Sequence, residues 1–180
     1  QLNVLWTPPG RIERQLESHP WIQDAQVARV LPSTLTVVIT ERRPVAVDPS
    51  SRAVVAPDGT ILAKGSHPGA LPLIETPAGL SPSVARRLTA NGVQVARALS
   101  GAVLSRVDRI AVSDLGDVEL QLKSGTTVVY GQPVQASVKA AVLEAMLRWS
   151  YRNHSRARSI DLSIPAVPSM VPMQPLQPAA

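Results

Sequence analysis

The segment from residue 19 to residue 46, HPWIQDAQVARVLPSTLTVVITERRPVA, constrains the fold more than any other part of the chain. The proline after His19 disfavours helical backbone at the histidine, so a helix that precedes it ends there. Residues 26–31 and 34–41 are rich in β-branched and apolar side chains, and they flank Pro32-Ser33, a pair suited to a turn. Alternation puts Leu35, Val37 and Ile39 on one face of the second strand and Thr36, Val38 and Thr40 on the other. A helix is predicted over residues 10–18, with Ile12 and Leu16 one turn apart on its surface. Together with Trp21, Ile22 and Val27 these two are expected to bury the Leu35/Val37/Ile39 face in a thin core. A unit of one helix and one hairpin is marginal alone and needs support from the domain C-terminal to it.

From Pro44 onward short strands and turns take over. Residues 53–55 and 60–63 flank Pro57-Asp58-Gly59 and read as a hairpin. Residues 71–74 and 107–112 read as strands. Ser81-Pro82 has the cap-then-proline order of a helix start, and Val84, Leu88, Val95 and Leu99 form its apolar stripe, weakened in the middle by Gly92. Residues 117–123 alternate Val118, Leu120 and Leu122 with polar positions, turn at Ser124-Gly125, and return over 126–130. A long helix is predicted over 133–151, with Val134, Val138, Val142, Ala145 and Trp149 as its packing face. A last strand covers 159–164. Beyond it the sequence is proline-rich and reads as a mobile tail.

Five of the seventeen prolines cluster after residue 164, and phenylalanine is absent, so the core rests on Val, Leu, Ile and Ala. No cysteine is present, which excludes disulfides and thiolate chemistry. A first residue of Gln points to residues upstream. No window nears the roughly 18 apolar residues of a membrane span, so the chain reads as soluble as it stands. The net charge of +5 suits an acidic partner or an anionic surface. The basic residues are scattered and aromatics are few, which argues against a nucleic-acid platform.

Chemistry is sparse. His19, His67 and His154 lie far apart and in no metal-binding spacing. Ser137 and Lys139 are two apart on a helix and cannot face each other. Lys139 is placed on the polar side, its stem lying along apolar surface. Asp114 and Asp117 read as turn residues, and Glu13 and Glu17 as an exposed like-charged pair. Glu41, beside Arg42-Arg43, is expected to close the first domain by charge pairing. Trp21 and Trp149 read as core anchors. The arginines from Arg148 to Arg158 read either as a solvated helix end or as a steering patch for an acidic partner. No catalytic, cofactor-binding or metal-binding residue is assigned.

The order Pro20-Trp21-Ile22, Ala25-x-Val27-x-Arg29, Leu31-Pro32-Ser33-Thr34-Leu35 and Glu41-Arg42-x-Pro44-Val45-Ala46 resembles the end of the POTRA domain of the bacterial FtsQ/DivIB division family. The second block resembles that family's β domain through Pro44-Val45-Ala46, Asp58-Gly59, Leu71-Pro72-Leu73-Ile74, the Gly131-to-Lys139 spacing, and Ile160-Asp161-Leu162. The implied fold is α+β: a truncated POTRA unit (helix plus β-hairpin) over residues 1–43, then a mixed β-sheet domain with two helices over 44–165, then a flexible tail over 166–180.

The resemblance further implies a non-catalytic divisome scaffold that binds FtsB and FtsL and links to the septal wall synthase pair FtsW and FtsI. It implies a single-pass inner-membrane protein, its span upstream of this chain, with this part outside the cytoplasm at the septum. In the family a partner strand joins the last strand of the β domain, which maps onto Ile160, Asp161, Leu162, Ser163 and Ile164. The hairpin positions tied to septal recruitment fall on Val27 and Arg29. Ser163 stands where the family often has arginine, so one charge pair is lost. Two other function classes compete with this one. A wall hydrolase or protease has no constellation to support it, and a POTRA-bearing secretion or outer-membrane assembly component would carry repeats and a barrel pattern that are missing.

Overall fold

The computed structural model describes residues 8–31, 34–48, 52–64 and 71–173. The Pro32-Ser33 turn, His67 and residues 174–180 lie outside them. The first unit is α1 (Pro9–Glu17), β1 (Ile22–Val30) and β2 (Thr34–Glu41), with the two strands forming their own antiparallel sheet. Proline in the first turn starts α1 without cost, since its missing N–H has no helical partner there. The register pairs Val27 with Val37, Ala25 with Ile39 and Arg29 with Leu35, so these six side chains share one face.

The expected core of this unit does not form. Trp21, Val37 and Ile39 are 38%, 42% and 45% exposed, Ile12, Leu16 and Leu35 are half-buried, and only Ala25 and Val27 are buried. The physical reason is where the helix lies. It packs against β1, and Glu13 and Glu17 accept hydrogen bonds from the Val27 and Ala25 amides at 2.9 and 3.3 Å. One helical turn rises about 5.4 Å, close to the roughly 6.7 Å between same-side amides of a strand. The two carboxylates therefore read as caps on the outer edge of β1, which corrects their assignment to a free surface.

The second unit is one nine-stranded mixed sheet in the order β11-β10-β9-β8-β7-β6-β3-β4-β5. Its strands are β3 (Ala46–Asp48), β4 (Ala53–Val55), β5 (Ile61–Lys64), β6 (Leu73–Glu75), β7 (Val107–Val112), β8 (Val118–Leu122), β9 (Thr127–Gly131), β10 (Ala157–Asp161) and β11 (Ser169–Pro172). Helices α2 (Pro82–Ala98), the single turn α3 (Gly101–Leu104) and α4 (Ala136–Arg152) complete it. Ile74, Leu88, Val95, Ile110, Leu120, Tyr130, Leu143, Ile160 and Leu162 are all within 2% of full burial, in one cluster between the helices and the sheet. Val47, Val54, Ala56 and Leu62 make a smaller cluster of their own.

Gly92 is a requirement of this packing. A Cβ there would stand 2.8 Å from Ile74 Cγ2 and 3.3 Å from Val112 Cγ2, so glycine lets α2 lie close on the sheet.

The packing face of α4 differs from the expected one. Its buried residues are Lys139, Ala140 and Leu143; of the expected face Val142 is half-buried against the core, while Val134, Val138 and Trp149 are 67%, 52% and 47% exposed and Ala145 is exposed. The helix is turned because Lys139 goes inside, where its ammonium has acceptors. Trp21 and Trp149 are therefore surface residues.

Candidate partner-binding edge

Three consecutive elements build the β11 end of the sheet. β9 carries Tyr130, whose hydroxyl donates to the Ala136 carbonyl at the start of α4. Burial pushes that phenol up to about 12. Gln135 takes a left-handed backbone, φ 54°, to begin the helix. Gly131 is also left-handed, φ 69°, and a Cβ there would meet Ser163 Cα at 3.3 Å. The spacing from Gly131 to Lys139 thus has two physical causes, a close crossing of backbone at one end and a buried cation at the other.

Lys139 Nζ donates to the carbonyls of Tyr130 at 2.8 Å and Gln132 at 2.9 Å and lies 5.5 Å from the Tyr130 ring centre. Burial lowers its pKa from the ordinary lysine value, and the nearby Asp117 and Asp161 charges partly offset this. The lysine ties the end of β9 to α4. It is buried and gives two of its three N–H groups to protein carbonyls, so it reads as a brace between the strand and the helix.

β10 pairs parallel with β9, Ile160 opposite Val128, and antiparallel with β11, Ile160 opposite Met170. This corrects two expectations. Ile160 and Asp161 are not on a free edge, because both rows of β10 are paired. The stretch 169–172, read from sequence as mobile tail, is a strand. β10 also ends earlier than expected: Asp161 Oδ1 accepts the Ser163 amide at 2.8 Å and bends the chain. That bond, with the Ser163 hydroxyl next, holds the Asp161 carboxyl below its usual range. Leu162 is buried and donates to the Val129 carbonyl at 2.8 Å. Ser163 and Ile164 are exposed beyond the strand.

The open row belongs to β11. Met173 N donates to the Arg156 carbonyl at 2.7 Å, so by alternation Val171 also faces β10, while Met170 and Pro172 face outward. Pro172 removes one outward donor, which blunts the edge. Sequence reading missed this strand because three residues between Pro168 and Pro172 carry no strand signal of their own.

The hairpin residues lie apart from this edge. Val27 is buried under α1 with its amide taken by Glu13, and Arg29 is exposed on the same face. The joint to the sheet domain is made by Arg42, where sequence pointed to Glu41. Its guanidinium donates to the carbonyls of Pro20 (3.1 Å) and Ile22 and pairs with Asp58 at 2.8 Å. That hydrogen bond, then one from the Thr60 amide, holds the Asp58 carboxyl at about 2.

His19 and His154 are exposed and separate in sequence and in the fold. Among the described residues no group of three or more His, Asp or Glu could hold a metal ion, and no helix is long and apolar enough to cross a membrane.

Comparison with known proteins bears on the same residues. The POTRA domain, FtsQ-type, matches residues 1–42, and the family "Cell division protein FtsQ/DivIB, C-terminal" matches 45–163. Similar proteins named "Cell division protein FtsQ" include that of Mycobacterium tuberculosis, 31% identical over 151 residues, 83% of this chain and 45% of the relative. That of Streptomyces bingchenggensis is 30% identical over 167 residues, 88% and 62%. That of Allochromatium vinosum is 32% identical over 142 residues, 74% and 55%. The chain spans about half the length of the curated relatives it matches. A POTRA unit joined directly to this C-terminal domain, over nearly all of the described residues, makes the chain a member of the FtsQ/DivIB family of cell division proteins.

Proposed function

We propose that this chain is a non-catalytic, extracytoplasmic scaffold of the division machinery that holds partner proteins by strand addition to the outer row of β11. Its partners in this reading are FtsB and FtsL, and through them FtsW and FtsI of the septal synthase. An upstream span would place it in the inner membrane at the septum. The observation that carries the reading is the position of β11 at the end of the sheet, in a chain of a division family.

An edge strand offers backbone groups to any extended segment that fits its register. Here the offer is short, with the Met170 amide and carbonyl and the Pro172 carbonyl as the polar handles. Val171 (51% exposed) and Met173 (42% exposed) supply apolar surface beside them. The paired strand β10, with Ile160 and Asp161, supports this edge from within, and Ser163 and Ile164 lie at its end. The hairpin positions Val27 and Arg29 enter the reading differently. Val27 holds the hairpin together, and Arg29 is the one whose side chain could meet a recruiting protein.

A catalytic role has little to build on, since the buried lysine is held by two backbone carbonyls and Asp58, Asp114, Asp117 and Asp161 are engaged in turns and pairs. A secretion component with serial POTRA units fits less well, because the POTRA match is one unit followed by the division-type domain.

The test is Met170→Pro against Pro172→Ala. Losing the outward amide should weaken binding of an FtsB-derived peptide roughly three- to tenfold, the worth of one backbone hydrogen bond. Pro172→Ala, which adds a donor, should leave binding equal or stronger. If folded Met170→Pro binds as well as the parent, strand addition at β11 is wrong.

A further inference from the structure

Nine strands span about 38 Å at the usual strand spacing, whereas each helix covers about 10 Å. Two long helices therefore cannot roof the whole sheet. α2 rests on β3, β6, β7 and β8, and α4 packs beside α2. What remains is a trough at the other end of the sheet, with a volume of about 650 Å³. Its floor is Ala53, Val55 and Ile61 of β4 and β5, and its wall is α2.

The wall is ordered along the helix. Arg86, Ala90, Val93 and Arg97 stand at i, i+4, i+7 and i+11, one stripe facing the trough. Its middle is small and apolar, and a cation stands at each end, about 16 Å apart. Neither arginine is engaged in an ion pair among the described residues. Arg86 gives only a 3.3 Å hydrogen bond to the Pro82 carbonyl. α2 itself carries no acidic residue. The two carboxylates on the trough's rim are engaged elsewhere: Asp58 is paired with Arg42, and Asp48 has a partner of its own.

We propose that this trough is a second docking site, independent of β11, for an amphipathic helix of a partner protein. The helix would lie alongside α2 with small apolar residues toward the exposed Ala90 and Ile61, over the buried Val93. Acidic residues about three turns apart would meet Arg86 and Arg97. Small residues at the contact allow the axes to approach to about 8 Å, and the free cations select an acidic occupant over a neutral one.

The test uses the whole 180-residue chain and two labelled peptides of about 20 residues, long enough to be helical in water. Both carry a Leu/Ala stripe, flanked eleven residues apart by Glu in one and by Lys in the other. Fluorescence anisotropy at low salt should show the Glu peptide binding about tenfold tighter than the Lys peptide, as two exposed pairs turn from attraction to repulsion. The double variant Arg86→Glu/Arg97→Glu should reverse that order. Ala90→Trp, a change at an exposed position, should abolish binding while circular dichroism stays the same. If that variant fails to fold, the charge reversal decides. Met170→Pro should leave this binding unchanged, which separates it from strand addition. Failure of the Glu peptide to bind, or a preference unmoved by the charge reversal, overturns the proposal.

Discussion

The hairpin unit and the sheet domain are both built on β structure and differ in what lies over it. In the sheet domain the long helices bury a continuous face, and residues such as Ile110, Leu120 and Ile160 are fully enclosed. In the hairpin one short helix sits against the edge of β1, and no residue of that helix is buried. The strand Thr34–Glu41 is rich in apolar residues, yet Val38 is 59% exposed and Ile39 45%. A strand's composition therefore sets which face could be buried, and the roof above it sets whether it is.

The largest test of that contrast is Gly92→Val. The new side chain would enter a space where even a Cβ lies 2.8 Å from Ile74. Overpacking of this kind costs roughly 1–3 kcal/mol, and the β-branched residue sits at the tightest contact, so about 3 kcal/mol is expected. Val37→Ala in the half-covered hairpin should cost less than about 1 kcal/mol, because little area is removed from packing. Denaturant midpoints for the two variants check the difference. Equal losses would break the comparison.

Lys139→Met ranks second. It keeps the stem but leaves the Tyr130 and Gln132 carbonyls without their donor. A buried group left unsatisfied costs about 1–3 kcal/mol, so about 2 kcal/mol is expected, and α4 should detach before the rest of the sheet. The lysine's folded pKa is lowered, so on approach to its ordinary value the unfolded chain binds more protons than the folded one. The parent should therefore gain stability relative to Lys139→Met as pH rises toward the ordinary lysine pKa. Urea titrations of both proteins across that range measure it, and a gap that shrinks would show that the folded pKa is raised instead, the ammonium's bonds to the two carbonyls outweighing its burial.

Lys139 also shows where the sequence runs out. The outline of the sheet domain was legible because Val118, Leu120 and Leu122 alternate and because the α2 stripe of Leu88, Val95 and Leu99 has helical spacing. The face of α4 was not. Hydropathy chose Val134, Val138 and Trp149, whereas the helix turns to satisfy a cation with two backbone carbonyls that no local pattern reveals. The open end of the sheet was legible only to within one strand. Ile160, Asp161 and Leu162 stand where strand periodicity puts them, but β11 exists as a strand through its pairing with β10, a tertiary cause. The role of Glu13 and Glu17 was equally hidden, since it depends on which edge of β1 is left unpaired.

The smallest expected effect lies at the joint between the two units. Arg42 gathers the Pro20 and Ile22 carbonyls from the hairpin side and Asp58 from the β4–β5 turn. The Asp58 side chain is 48% exposed, so the pair is screened and contributes less than about 1 kcal/mol. Its folded pKa of about 2 lies below the ordinary carboxyl value of 3.8. The contribution is therefore complete above 3.8 and is lost as pH falls through about 2. Asp58→Asn should speed amide exchange in residues 22–30 and 34–41 at neutral pH while leaving the strands β7 to β9 unchanged. Below about pH 2, where Asp58 is protonated in the folded chain as well, the variant and the parent should exchange alike. The local readout matters because a sub-kilocalorie change is hard to see in global unfolding, whereas exchange in the less protected unit responds to it directly. If slow exchange in β7 to β9 changed as much as the hairpin, the two units would be unfolding as one, and the contrast in their burial would be confined to the native state.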